Sequence, residues 1–250
     1  MATFAAIITA AGKSKRFGDR NYKKPFASLA GRAVWLHSAD RFLNRADVKQ
    51  TIITVAAEDR EEFDRKFGAN VAILGVEVVA GGEHRADSVQ RALERVKSEI
   101  DFVAVHDAAR PCIADKWIEQ VFEAAQRTGA AILAAPVAET LKRVDSKKQI
   151  TATVDRQSLW TAQTPQVFRR ELLIEAYAKR GTVAGSNAAT DDAQLVERLG
   201  RAVTVVLCSA MNLKINTRDD LKLAEQVLKV LPKPKPDGFS HPFAGDDLFR

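Results

Sequence analysis

The sequence predicts an α/β protein: a three-layer, Rossmann-like fold with a mostly parallel sheet and helices on both faces. Three observations lead there. Apolar runs of strand length alternate with stretches whose apolar residues recur at helical spacing, as in repeated strand–helix units. Several of these runs stop abruptly at glycine or at a charged residue, as strands do where they meet a ligand-binding edge. The chain has 250 residues, 46% of them hydrophobic, enough to bury a full core in one domain.

The first run, Phe4–Thr9, reads as a strand that stops at Ala10-Ala11-Gly12. Trp35, Ala39, Phe42 and Leu43 share a helical face and place a helix over about residues 33–44. Thr51–Ala56 is β-branched and gives a second strand. Val76–Val79 gives a third, ended by Gly81-Gly82. Val89, Ala92, Leu93 and Val96 form one face of a helix. Phe102–Val105 is a strand that stops at His106-Asp107. Trp117, Ile118, Val121, Phe122 and Ala125 mark a helix that Asp115 caps and Gly129 ends. Ala131–Val137 and Val203–Cys208 are again strand-like. Thr217 and Asp220 form a capping box ahead of Leu221, Ala224, Leu228 and Leu231.

Residues from about 138 to 165 break this rhythm. Glu139–Val144 and Ile150–Val154 read as two strands joined by the polar turn Asp145–Gln149, a protruding β-hairpin arm. An isolated hairpin is marginal in water, so the arm is expected to pack on something, with a second subunit the natural candidate. The expected division is a domain over residues 1–231, arm included, and a flexible tail over 232–250. That tail begins with Pro232-Lys233-Pro234-Lys235-Pro236, which cannot continue a helix.

The net charge is +6, and the side-chain charges of the tail cancel, so the excess lies in the body. This suits a small anionic substrate. Nucleic acid is disfavoured: only 7% of residues are aromatic, and no basic stripe with interleaved aromatics appears. Cys112 and Cys208 lie far apart and make no metal pattern. No leader-like segment and no apolar run of membrane-spanning length is present, so the expected location is cytoplasmic, with no membrane partner.

Residues with chemical potential gather after strand ends. Small side chains at Ala10, Ala11 and Gly12 let backbone N–H groups approach a ligand. Six cations follow: Lys13, Lys15, Arg16, Arg20, Lys23 and Lys24. Arg16 and Lys24 are read as phosphate clamps, and Lys13 and Lys23 as solvated charge. Gly81-Gly82-Glu83 leads into a helix where Ser88 either bonds a ligand or caps the helix. Asp107 sits where a metal or ribose hydroxyl is often held, and Arg110 either binds phosphate or pairs with Asp107. His106 reads as structural. Arg156 either captures a second anion or pairs with Asp155. Lys214, between Leu213 and Ile215, points away from the core if the run is extended. No Ser-His-Asp order, zinc spacing or P-loop signature is present, and Gly12 alone does not make a dinucleotide fingerprint.

Taken in order, the motifs resemble a known family. They are Ala10-Ala11-Gly12-Lys13-Ser14-Lys15-Arg16-Phe17, Lys24 with Phe26, Ala86-Asp87-Ser88-Val89 and His106-Asp107-Ala108-Ala109-Arg110-Pro111. Thr153-Val154-Asp155-Arg156, Leu159-Trp160, Gln163-Thr164-Pro165-Gln166 and Thr190-Asp191-Asp192-Ala193 follow. Together, from about residue 4 to 231, they are similar to the 2-C-methyl-D-erythritol 4-phosphate cytidylyltransferases of non-mevalonate isoprenoid synthesis. The resemblance implies transfer of cytidylyl from CTP to the polyol phosphate, with release of pyrophosphate and with Mg²⁺ as cofactor. It implies that Ala10, Ala11, Gly12, Gly82, Glu83 and Ser88 line the cytidine pocket, and that Arg16, Lys24 and Lys214 neutralise the triphosphate. Asp107 would lie by metal and ribose. Arg110, Thr140, Arg156 and Thr164 would hold the second substrate, with Thr140 and Arg156 reaching a partner's site through the arm. The chain departs from the family pattern at Ser14, at Lys23-Lys24-Pro25-Phe26, at Glu83 in place of Asp, and at Asn216 and Arg218. Two alternatives remain in view: a cytidylyltransferase for ribitol 5-phosphate or another polyol phosphate, and a non-catalytic nucleotide-binding module.

Overall fold

In the computed structural model, residues 1–12, 23–181 and 189–231 are described. One seven-stranded sheet organises them. Its strands are β1 (Phe4–Thr9), β4 (Val48–Val55), β5 (Glu77–Ala80), β6 (Phe102–Asp107), β7 (Ala130–Pro136), β10 (Trp160–Arg169) and β11 (Thr204–Leu207), in the spatial order β11-β7-β10-β6-β1-β4-β5. The pairs β1–β4, β1–β6, β4–β5 and β7–β11 are parallel, whereas β10 runs antiparallel to both β6 and β7. The expected mostly parallel sheet is present, with one reversed strand in its middle.

Strand alternation explains the layering. On β1, Phe4, Ala6 and Ile8 face a cluster containing Trp35 and Phe42 of helix α1 (Val34–Leu43), Phe63 of α2 (Arg60–Leu74), and Ile118 and Phe122 of α4 (Asp115–Thr128). Ala5 and Ile7 face the other way. They meet Val89 and Leu93 of α3 (Arg85–Leu93), Leu173 of α5 (Arg170–Ala178) and Val196 of α6 (Asp192–Arg198). Because both faces of the strand are buried, it reads as a continuous apolar run. A third cluster seats α7 (Arg218–Val230) through Ala224 and Val227 against Leu29, Cys112 and Ile215. Cys112 is therefore packing, as expected.

The helix ends follow capping chemistry. Thr217 Oγ1 accepts from the Asp220 N–H at 3.2 Å, and Asp220 Oδ2 accepts from the Thr217 N–H at 2.8 Å. Gly129 closes α4 at φ +84, a conformation that favours glycine. Asp115 is one residue inside the helix rather than its cap, and pairs with Arg41 at 3.1 Å. The structure adds elements the sequence pattern did not single out. These are α2, α5, α6, strand β10, and the short antiparallel pair β2 (Ser28–Leu29) and β3 (Arg32–Ala33).

The hairpin arm is present as β8 (Leu141–Val144) paired antiparallel with β9 (Ile150–Val154), apart from the main sheet. It is narrower than 138–165: Trp160 already pairs with Pro136, so the excursion from the sheet spans 137–159. The tail from residue 232 lies outside the described residues.

Phe122 stacks on Phe4 with ring centroids 3.9 Å apart, joining α4 to the first strand. Truncation of Phe122 to alanine is expected to lower unfolding stability by about 3–5 kcal/mol. Urea denaturation followed by circular dichroism measures this, and a loss well under 1 kcal/mol contradicts the packing described.

Candidate active site

The carboxyl ends of β1, β5 and β6 open into one cleft of about 310 Å³. Thr9, Ala10, Ala11, Gly12, Lys24, Pro25, Glu83, His84, Arg85, Ser88, Asp107, Ala109 and Lys214 line it. Parallel strands leave their ligand crevice at this edge. The first loop is held down by backbone: the Ala10 N–H donates to Thr54 O at 3.0 Å. Gly81 has to be glycine, because a Cβ there would collide with the Cβ of Ala11. Ser88 lies inside α3 rather than at its cap. Its hydroxyl accepts from the Gly82 N–H at 3.0 Å and donates to His84 O at 3.2 Å, so it shapes the loop after β5 while facing the cleft.

Asp107, the last residue of β6, is the electrostatic centre. It is 6% exposed. Lys214 Nζ donates to Oδ2 at 2.6 Å, Thr9 Oγ1 donates to Oδ1 at 3.1 Å, Arg85 Nε is 3.3 Å from Oδ1, and Arg110 Nε is 3.8 Å from Oδ2. Burial alone would raise the carboxyl above the usual carboxylate range, but Arg85 and Lys214 outweigh it and hold the group far below that range. Asp107 is ionised at every physiological pH.

Behind it lies a second network. The Asp107 N–H donates to Thr164 Oγ1 at 3.0 Å, and the same hydroxyl is 3.0 Å from His106 Nδ1. The Arg110 carbonyl can only accept, so the neutral ring carries its proton on Nε2 and donates there at 3.1 Å, which leaves Nδ1 to accept from the Thr164 hydroxyl. His106 is a neutral, fully buried structural residue whose pKa is lowered by burial to about 4. Arg110 lies mainly behind the cleft, with Nη1 donating to Asn212 O at 2.7 Å.

The structure thus brings Lys24, Lys214, Ala10, Ala11, Gly12, Glu83, Ser88 and Asp107 to one cleft, with Gly82, Arg110 and Thr164 immediately behind its wall. Lys24 Nζ lies 3.4 Å from Asn216 Oδ1, in the segment that carries Lys214. Ile215 is buried and its N–H donates to Ala109 O at 2.8 Å, which turns Lys214 outward as the extended reading required. Thr140 and Arg156 are exposed on the arm and do not line the cleft. Arg16, with Lys13 and Lys15, lies outside the described residues. Lys23 is not solvated as expected: its Nζ is 3.0 Å from the buried carboxylate of Asp59.

Comparison with known proteins assigns the family. A family model described as 2-C-methyl-D-erythritol 4-phosphate cytidylyltransferase matches residues 4–230. The chain belongs to that family. A cytidylyltransferase of that description from Rhodopirellula baltica is 42% identical over 239 residues, covering 91% of this chain and 95% of the relative. One from Endomicrobium trichonymphae is also 42% identical, covering 90% and 98%. The crystal structure of the cytidylyltransferase from Thermus thermophilus superimposes with a TM-score of 0.74 at 32% identity, covering 92% and 100%.

In this cytidylyltransferase-family chain, Arg85 and Thr9 both reach Asp107 in the cleft without standing out in the sequence, and Arg85 brings charge. Its signal was faint: an arginine among the charged residues that open a helix. The spacing of Phe63, Phe67 and Val71, by contrast, was a legible sign of α2 that went unused.

His106 gives a pH dependence with a definite sign. The unfolded chain binds a proton at the ordinary histidine value of 6.5, and the native state only near 4. Between those values the unfolded state holds more protons, so stability falls as pH drops from 6.5 to 4 and this contribution levels off below. The expected loss is about 3 kcal/mol, at 1.36 kcal/mol per unit. Urea titrations across that window measure it, and His106→Gln is expected to flatten that part of the curve.

Proposed function

We propose that the chain transfers a cytidylyl group from CTP to 2-C-methyl-D-erythritol 4-phosphate. A phosphate oxygen of the polyol phosphate attacks the α-phosphorus of CTP. The bond from that phosphorus to the oxygen bridging the β-phosphate breaks, and pyrophosphate departs with the electron pair. The observation that carries this reading is the convergence of Lys24, Lys214 and Arg85 beside the small-residue loop Ala10–Gly12 in one cleft. Three cations from distant parts of the chain suit a substrate with several adjacent negative charges.

The attacking phosphate has a second pKa of about 6 and is already largely ionised near neutrality. The reaction therefore needs no general base, which agrees with His106 being committed to structural hydrogen bonds. Bringing two polyanions together demands positioning and positive charge. Lys24 and Lys214 supply that charge, with Arg16 assigned beside them from the family motif. Lys214, whose side chain is 40% exposed, swings from Asp107 to the triphosphate when the nucleotide enters. Ala10, Ala11, Gly12, Gly82, Glu83 and Ser88 shape the cytidine pocket.

Among the described residues, no group of three or more His, Cys, Asp or Glu side chains is arranged to hold a metal unaided. A single carboxylate in a phosphate site is nonetheless what Mg²⁺ uses, since the nucleotide contributes the other oxygens. Asp107 fits that role. Mg²⁺ bound there supplies electrostatic stabilisation of the charge on the transferred phosphoryl group and the pyrophosphate.

We assign Thr140 and Arg156 to the second substrate in a partner subunit's cleft, with Arg110 and Thr164 acting from within this one. The arm leaves Val144 and Ile150 more than half exposed, which supports a homodimer that covers them. Residues 1–231 form the catalytic domain and 232–250 an appended tail. No helix among the described residues is long and apolar enough to cross a membrane, and we place the reaction in the cytoplasm.

Incubation with CTP, Mg²⁺ and 2-C-methyl-D-erythritol 4-phosphate is expected to yield the CDP-alcohol and pyrophosphate. UTP in place of CTP, or ribitol 5-phosphate in place of the alcohol, is expected to react far more slowly. No pyrophosphate release with the first pair refutes the assignment, and faster turnover of ribitol 5-phosphate reassigns the acceptor. Lys24→Ala is expected to lower kcat by about 10²–10³ with a smaller change in the KM for CTP. Near wild-type turnover in that variant removes Lys24 from the mechanism.

A further inference from the structure

Arg85 opens α3, yet its guanidinium turns inward and stands between two buried carboxylates. Nε lies 3.3 Å from Asp107 Oδ1, and Nη1 lies 2.8 Å from Asp192 Oδ2. Asp192 is the first residue of α6 and has no solvent exposure. Its other oxygen, Oδ1, accepts a 2.5 Å hydrogen bond from Tyr177 Oη on α5. Gln166 of β10 fixes the backbone there, its Oε1 accepting from the N–H groups of Asp192 at 3.1 Å and Ala193 at 3.0 Å. One cation is thus divided between the carboxylate in the cleft and another inside the protein. None of Arg85, Asp192 and Tyr177 has a role in the reaction described above beyond the charge Arg85 brings to the cleft.

We propose that Asp192 and Tyr177 are positioning residues that set how much of the Arg85 charge falls on Asp107, and so how strongly Asp107 attracts the Mg²⁺ that accompanies the nucleotide. A planar guanidinium with several donors can serve two carboxylates at once and shift its weight between them. Asp192 pulls it inward, leaving Asp107 with charge to offer the cleft. Without that pull, Arg85 turns wholly to Asp107 and neutralises it. Tyr177 moderates the pull, since its hydroxyl draws off part of the Asp192 charge. The two substitutions that remove these groups act in opposite directions. Loss of the Asp192 charge weakens the Mg²⁺ site, whereas loss of the Tyr177 hydroxyl strengthens it. A purely structural network has no reason to split in this way.

The inference rests on the assignment of Asp107 to the metal, and the test separates the two. CTP is titrated into the full-length protein by calorimetry at a series of Mg²⁺ concentrations, with no polyol phosphate present, so no turnover enters the readout. The quantity compared is the Mg²⁺ concentration that gives half of the maximal CTP affinity. Asp192→Asn is expected to raise it about tenfold, the lower end of what residues behind a metal ligand contribute. Tyr177→Phe is expected to lower it by about twofold, as one hydrogen bond of several is removed. Thermal unfolding of each variant reports folding separately. Should Asp192→Asn not fold, Tyr177→Phe alone decides: an unchanged or raised Mg²⁺ requirement overturns the proposal. Shifts of the same sign in both variants also overturn it. Asp107→Asn is the control: a wild-type Mg²⁺ requirement in that variant removes Asp107 from the metal and takes this inference with it.

Discussion

A carboxylate at the end of a central strand, enclosed on nearly every side, exists as an anion only when positive charge surrounds it. Asp107 is that carboxylate, and Arg85, Lys214 and Arg110 are the charge. Removing an ion from water costs several kcal/mol, and these cations together offset that cost. The arrangement draws together β6, the N-terminus of α3 and the segment before α7. Cleft and fold depend on the same contacts.

This constraint explains the division of labour among the cations. Arg85 and Arg110 are mostly enclosed, Arg85 between two carboxylates and Arg110 between Asp107 and the Asn212 carbonyl. Lys214 is the most exposed partner of Asp107, on a flexible stem with a compact charge. Two enclosed cations hold the anion in place, while the third has solvent beside it. The small residues of the first loop leave this side of the cleft clear of long side chains.

Much of this was legible in the sequence because strand ends and apolar runs are local signals. Residues 4–8 and 102–105 are buried on both faces and therefore apolar throughout, and the polar residues directly after them stand at the carboxyl edge of the sheet. Lys214 was readable from the alternation around it. Strand β10 was not, because Gln163, Thr164 and Pro165 interrupt its apolar character. Those residues are polar for a reason visible only in three dimensions: Thr164 joins Asp107 to His106, and Gln163 Oε1 accepts from Asn212 Nδ2 at 2.9 Å. Helix α6 was hidden for a similar reason. Its first residue, Asp192, is a buried anion whose partner, Arg85, is remote in sequence. The motif residues from Thr190 to Ala193 carried the family resemblance without disclosing that contact.

The reversed strand has a mechanical corollary. The hairpin's return limb leads through a turn at 155–159 into β10, between β7 and β6, rather than joining the sheet at its margin. Four residues past the foot of the hairpin, Thr164 grips the backbone of Asp107. A displacement of the protruding limb therefore reaches the centre of the sheet through that turn and along a strand whose register shifts between Ala162 and Gln166. Whatever docks on that limb leans on the strand whose Thr164 is bonded to the backbone of Asp107.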